Sequence, residues 1–319
     1  MATRYPWRDD PRWRELVAAA QQDKGGPDIW VYQSAHDPWL TSSYYFEVAG
    51  EVVLIDTQTF RSSAAELWDD IQRNTCGNLT TIIITHAHPD HCYGNGFFRR
   101  VAPHARMITS RGVIADLDRT LAPRIPFWAE IWGDEAPSAV EQVPYPDLVF
   151  DGRLTLKLAD WTLDLWEVGP AEAPAQVVGW IPERRALVVA DVVQNRQTYY
   201  TPDCALPDWY RILGELEALA PERLLTGHQG VGGPELFNET RAWIASYLGL
   251  MAEELGPGYN PEDARALTDD GRTRILAEMI RRFPDWYDPI MVGEGDSTLS
   301  YSLLGLTTEE EGEALIAQP

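Results

Sequence analysis

Leu79-Thr80-Thr81-Ile82-Ile83-Ile84-Thr85-His86-Ala87-His88-Pro89-Asp90-His91 is the stretch on which the fold turns. Its first seven residues form an apolar run rich in Thr and Ile, the length and composition of a buried strand. A cluster of imidazoles and one carboxylate follows, with three of the chain's six histidines inside residues 86–91. Two histidines one residue apart at a strand end can project both rings to one side. Asp90 and His91, on the turn that follows, aim an oxygen and a nitrogen at a neighbouring point. That geometry suits two adjacent metal ions. A His pair capping a helix or bonded in a polar loop is the plainer reading, but four potential ligands so spaced behind a strand count against it.

Working outward from this string, the pattern is α/β. Residues 29–34, 44–48 and 52–56 read as strands, with Ala49-Gly50 as a hairpin turn. Residues 64–73 space Ala65, Leu67, Trp68 and Ile71 at helical intervals. Past His91 come a short helix from Gly94, a strand around 107–109 and a helix over 110–117. Between 120 and 145 the periodicity fails while Pro126, Phe127, Trp128, Ile131 and Trp132 accumulate, so a lid or pocket wall is expected, with a packed loop or short helix as the alternative. A second sheet is expected from strands at 148–150, 154–158, 162–168, 177–181 and 186–192, then a helix at 209–218, a strand at 223–226 and a long helix over 234–255. The expected organisation is a helical lead (1–27, helix at 11–22), a main catalytic domain (28–255) and a helical carboxy-terminal extension (256–319, helices at 261–267 and 272–283, an irregular stretch at 285–304) able to serve dimer contacts.

The string His86-Ala87-His88-Pro89-Asp90-His91 resembles the metallo-β-lactamase superfamily, whose His-x-His-x-Asp-His motif it matches in full. The resemblance covers residues 28–250 and implies an α/β fold, the αββα sandwich. In that family a hairpin ending in Asp precedes the motif, as Val52-Val53-Leu54-Ile55-Asp56 does here. The bridging carboxylate ends a hydrophobic strand, which points to Asp191 after Ala186-Leu187-Val188-Val189-Ala190. The last histidine sits in a Gly-His context, which points to His228. Where most members carry a further histidine, this chain reads Gly169-Pro170-Ala171-Glu172-Ala173-Pro174-Ala175-Gln176, so Glu172 takes that place. The Glu-Ala-Pro-Ala string looks like the alkylsulfatase branch. The implied cofactor is two Zn2+ per chain: one held by His86, His88 and Glu172, the other by Asp90, His91 and His228, with Asp191 shared.

Two divalent ions so held depress the pKa of a shared water and polarise the oxygen under attack, so hydrolysis is expected. Asp90 is carried as a catalytic as well as a metal-binding carboxylate. The extra negative charge of Glu172 should make one ion a weaker Lewis acid. An ester-type bond is the expected target, sulfate esters first because of Glu172. The alternatives are a lactone, carboxylic ester or thioester, redox chemistry on a sulfur compound at a single iron, or a metal-containing binding protein. Asn195, Arg196, Tyr199 and Tyr200 follow Asp191 and are candidate substrate contacts, Arg196 for an anionic group or else as a solvated surface side chain. Tyr93 either lines the pocket or packs beneath it. Thr85, Asp56 and backbone carbonyls are candidates to hold the imidazole N–H groups, with an ordinary β-branched strand residue as the other reading of Thr85. His36 is a candidate proton donor, His104 reads as surface, and Cys92 as a buried inert thiol.

Composition narrows the classes further. Of 319 residues, 26 are Lys or Arg and 49 Asp or Glu, a net charge of −23 that repels phosphate backbones and anionic lipid surfaces, so nucleic acid and membrane partners are not expected and a small molecule is. No apolar run approaches the ~20 residues of a membrane span, and the amino end has no apolar signal region. Three cysteines without a Cys-x-x-Cys pair argue against disulfides and a cysteine zinc knuckle, leaving nitrogen and oxygen ligands and a cytoplasmic setting.

Overall fold

The run Ala186-Leu187-Val188-Val189-Ala190 is buried at every position, and the pleat divides it between two cores. Ala186 and Val188 face one apolar cluster, Leu187 and Val189 the other. Val177 and Val178, and Leu225 and Leu224, are divided the same way. A strand buried on both faces has no polar alternation, which is why these segments read as continuous apolar runs. The computed structural model describes residues 15, 28–34, 38–201, 206–256, 266–288, 290–292 and 296–297.

One six-stranded sheet runs in the order β1 (Trp30–Gln33), β2 (Ser42–Val48), β3 (Glu51–Ile55), β4 (Asn78–Ile83), β5 (Arg106–Ser110) and β6 (Leu148–Phe150). Strands β1 to β3 are antiparallel and β3 to β6 parallel. The second sheet runs β12 (Val231–Gly232), β11 (Arg223–Thr226), β10 (Ala186–Ala190), β9 (Gln176–Ile181), β8 (Trp161–Val168) and β7 (Arg153–Leu158). The β2–β3 hairpin closes on Ala49 and Gly50, with φ of 53° and 84°, the positive pair that a tight two-residue turn demands.

Helices cover both outer faces. Helix α1 (Arg61–Asn74) buries Ala64, Leu67 and Ile71 in the first core; short α2 (Pro89–Cys92) and α3 (Asn95–Val101) follow the histidine string. Helices α5 (Leu206–Glu217) and α6 (Glu235–Leu255) bring Trp209, Ile212, Leu213, Phe237 and Trp243 to the second core. The layers are helix, sheet, sheet, helix, the αββα sandwich. Helix α7 (Asp269–Arg282), begun by a Thr268 side chain accepting from Gly271 N, packs Ile275 and Met279 into the second core. No helix among the described residues is long and apolar enough to cross a membrane.

Two expectations need correction. The helical period does not fail at residue 120: α4 runs unbroken over Arg111–Trp132 despite Pro123 and Pro126, followed by single 3-10 turns at Gly133–Glu135 and Val140–Gln142. Val113, Leu117, Leu121, Ile125, Trp128 and Trp132 recur on one buried face, so packing overrides the two prolines that break the local signal. The stretch 285–304 is not wholly irregular either, since Ile290–Val292 and Asp296–Ser297 pair as two short antiparallel strands. The expected helices at 11–22 and 261–267 and His36 lie outside the described residues, apart from Glu15, which is helical, and positions 266 and 267.

Candidate metal centre

Strand ends from both sheets meet at one edge. Asp56 follows β3, the histidine string follows β4, Glu172 precedes β9, Asp191 follows β10 and His228 follows β11. Backbone bonds fasten the sheets together there: Val177 N donates to Thr85 O at 2.7 Å and Ser42 N to Gly227 O at 2.7 Å, while Thr41 bridges His228. Gly227 is required, since a Cβ would run into Asp191 Oδ1. Asp56 and Ala190, with φ of 61° and 45°, take the left-handed conformation beside the site, a local cost of ~1–3 kcal/mol each that the surrounding packing sustains.

Seven side chains converge. His86, His88, Glu172 and Asp191 form one group with potential ligand atoms all within 4.8 Å; Asp90, His91 and His228 form a second. All seven are buried. Glu172 Oε1 lies 3.3 Å from His88 Nδ1, and Asp90 Oδ2 lies 3.1 Å from His91 Nε2 and 3.5 Å from His228 Nε2. Asp191 spans both groups: Oδ1 is 3.4 Å from His91 Nε2, and Oδ2 is 3.0 Å from His228 Nε2 and 3.9 Å from His86 Nε2. Ligands on one tetrahedral ion with bonds of 2.0–2.2 Å stand about 3.3–3.6 Å apart, so these separations are those of a coordination shell. His86 Nε2, His91 Nε2 and Asp191 Oδ1 are buried and make no hydrogen bond, which a divalent cation would resolve. The residues fit the metal.

The outward nitrogens are fixed. Asp56 accepts from Thr85 N at 2.8 Å, from Thr85 Oγ1 at 2.7 Å and from His91 Nδ1 at 2.7 Å; Thr85 Oγ1 in turn stands 3.0 Å from His86 Nδ1. His228 Nδ1 donates to the Trp39 carbonyl at 2.8 Å. In each case Nε2 is the nitrogen left facing the cluster, where it could ligate a metal once unprotonated. The carboxylates have partners too: Thr41 Oγ1 donates to Asp90 Oδ2 at 2.9 Å, Gln194 Nε2 to Asp191 Oδ2 at 3.2 Å and Gln176 Nε2 to Glu172 Oε2 at 3.2 Å.

Electrostatics follow from burial and crowding. Burial, with the rings of His91 and His88, holds His86 well below the ordinary imidazole value and so neutral. Burial opposes charge on His91 and His228, yet the carboxylates of Asp90 and Asp191, joined at His91 by Asp56, hold both above that value. Burial pushes Glu172 up to about 7 against the pull of His88. Asp90 and Asp191, also buried, are drawn below the usual carboxylate range by His91 and His228. Buried carboxylates this close together call for a cation.

Of the expected substrate contacts, Tyr200 lies at the cluster and the others have partners elsewhere. Arg196 does not face the cluster as a free clamp: its guanidinium pairs with Glu239 through Nε at 3.0 Å and Nη2 at 2.9 Å, half exposed. Tyr199 is a core residue: its ring meets Trp209 and Trp243, and its hydroxyl accepts from Gln194 N at 2.9 Å. Its neighbour Tyr200 is the one at the cluster, edge-on to His88 with centroids 5.5 Å apart. Asn195 Nδ2 donates to the carbonyls of Gln229 and Val231, tying down the loop after His228. Tyr93 is buried and lines a cavity of about 110 Å3 with Thr59, Phe97 and Glu135, shared with none of the seven. A larger groove of about 670 Å3, lined by Trp68, Cys76, Leu79 and exposed His104, opens at the amino end of β4, opposite the ligands. Cys92 is buried with its sulfur directed at the His88 carbonyl, 3.3 Å away. Thr41, Gln176 and Gln194 were not among the expected partners, whereas the Trp39 carbonyl is one of the backbone carbonyls expected to hold an imidazole N–H.

A helix-clad double sheet with a histidine and carboxylate cluster at the meeting edge defines a metal-dependent enzyme of the αββα type. The chain belongs to the metallo-beta-lactamase superfamily, whose family model matches residues 36–228. It is 22% identical over 205 residues to metallo-beta-lactamase type 2 of Bacteroides fragilis, covering 62% of this chain and 72% of that protein. A metallo-beta-lactamase from Pontibacter korlensis superposes with a TM-score of 0.55 at 18% identity, over 70% of this chain and 97% of its own. The DIM-1 metallo-beta-lactamase gives 0.55 at 17% identity, over 70% and 95%. At such identities the structures speak to the fold alone. Family membership makes the chain a metal-dependent hydrolase acting on a small molecule.

Proposed function

We propose that the chain binds two zinc ions and hydrolyses an ester-type bond, with sulfate esters the first class to test. The observation that carries the reading is the pair of ligand groups, His86/His88/Glu172/Asp191 and Asp90/His91/His228. A complete second group favours two ions over a single iron. When bound, the ions supply Lewis acidity and an ionised water near neutral pH. The protein's own contribution is orientation: Asp56 and Thr85 set the rings of His86 and His91, the Trp39 carbonyl sets His228, and Thr41 fixes Asp90. The preference for sulfate rests on Glu172 alone, because Arg196 is engaged by Glu239. A cytoplasmic setting suits the unpaired thiols of Cys76 and Cys92.

The test is metal content combined with a hydrolysis panel of alkyl and aryl sulfates, lactones, carboxylic esters, thioesters and a β-lactam, on wild type and Glu172→Ala. Two zinc per chain in the wild type, one in the variant, and collapse of activity are expected. Unchanged stoichiometry in Glu172→Ala removes that residue from the site, one iron per chain overturns the hydrolytic reading, and turnover of lactones or esters with sulfates untouched replaces the substrate class.

A further inference from the structure

Gln176 is fully buried as the first residue of β9, its backbone held by pairing with Val168 and by the adjoining Val177 N bond to Thr85 O. An amide withdrawn from water on all sides must be placed there for a partner. Among the described residues its one side-chain hydrogen bond runs from Nε2 to Oε2 of Glu172 at 3.2 Å, and its own Oε1 makes none. The two oxygens of Glu172 are thereby divided: Oε2 is taken by the amide, and Oε1 faces His88 Nδ1 at 3.3 Å. An imidazole ligand presents an N–H outward and needs an acceptor behind it, whereas a carboxylate ligand presents a second oxygen and needs a donor. The side chain behind Glu172 is an amide, and it turns its donor end to the carboxylate.

We infer that Gln176 is a positioning residue which holds Glu172 as a one-oxygen metal ligand and thereby lets a carboxylate stand where an imidazole would otherwise serve. The inference rests on the reading of Glu172 as a metal ligand. Without the amide, Oε2 is left buried and unpaired, and the carboxylate is free to rotate away from His88. A residue at 176 that can only accept supports histidine at 172 and opposes glutamate.

Cobalt(II) alone is the probe, titrated into metal-free protein, with visible absorption reporting ligand geometry and chelator competition reporting affinity. Gln176→Leu is expected to weaken one of the two ions by about 10–100-fold, leave the other unchanged and alter the absorption envelope of the weakened site. Gln176→Glu keeps the shape but withdraws the donor and should weaken the same ion; adding Glu172→His, so that the carboxylate introduced at position 176 accepts from the introduced imidazole, should restore it. A folded Gln176→Leu that binds both ions with wild-type affinity and spectrum overturns the inference. Should Gln176→Leu fail to fold, the Gln176→Glu variant and its rescue decide, and a double variant no better than Gln176→Glu alone also overturns it. If instead the wild type takes up fewer than two ions, or Glu172→Ala retains two, it is the reading under Proposed function that has failed.

Discussion

His91 gathers more of the site's electrostatics than any other ligand, with Asp56 on Nδ1 and Asp90 and Asp191 near Nε2. Those carboxylates hold it well above the ordinary imidazole value, and Asp191 and Asp90 hold His228 above it too. In the metal-free chain the protonated rings stabilise the fold below pH ~6.5, and that stabilisation is lost as pH rises through the raised values. A metal ion must displace the same protons, so apparent zinc affinity should climb with pH by about tenfold per unit for each proton released. Chelator competition between pH ~6.5 and ~7.5, on either side of neutrality, should show affinity rising with pH, and a flat profile would mean that neither imidazole gives up a proton to the ion. The string His86–His91 was legible because ligand-type residues follow a strand-like apolar run, whereas Glu172, Asp191 and His228 were legible through the resemblance to the metallo-β-lactamase superfamily. Their partners were not legible: Thr41, Gln176 and Gln194 lie 49, 4 and 3 residues from the carboxylates they serve, and nothing in their local sequence separates a buried amide from a solvated one.

Helix α4 shows where the sequence pattern misled and what the element contributes instead. Two interior prolines remove backbone donors, each at a cost of ~3 kcal/mol or more in an isolated helix. The compensation is aromatic. Trp132 is fully buried, stacked on Trp128 at 4.1 Å and edge-on to Phe60 at 5.0 Å and Trp39 at 5.2 Å. Most strands, by contrast, were readable to within two residues, because short apolar runs bounded by turn residues mark them, whereas proline and tryptophan mark loops and cores alike. Trp39 links this cluster to the ligands through its carbonyl, which holds His228. Trp132→Ala should therefore do two things. It should destabilise the chain by about 3–5 kcal/mol, lowering the melting temperature by roughly 10 °C, and it should weaken zinc in the His228 group as the Trp39 backbone relaxes. Thermal melts and a zinc titration on the same sample check both, and a destabilised variant with unaltered zinc affinity would show that α4 packs without positioning the site.

At the scale of the whole molecule, the ligands are distributed across the sandwich: His86, His88, Asp90 and His91 belong to the first sheet, and Glu172, Asp191 and His228 to the second. Each ligand group draws on both sheets, so a bound ion cross-links them at an edge otherwise fastened by a few backbone bonds such as Val177 N to Thr85 O and Ser42 N to Gly227 O. Stripped of metal, that edge holds several buried carboxylates offset only by the protonated rings of His91 and His228, in a chain carrying a net charge of −23. Metal that binds only the folded state stabilises it by mass action, about 4 kcal/mol at a thousandfold excess over Kd. Chelation should accordingly lower the melting temperature by several degrees, reversibly on adding back zinc. Hydrogen exchange should locate the change. Amides at the carboxyl ends of β3, β4, β10 and β11 should lose protection together on chelation, whereas those around the groove at the amino end of β4 should hardly move. Loss of protection confined to one sheet would mean that the metal is bound by that sheet alone, and the cross-sheet assignment of both ligand groups would fall with it.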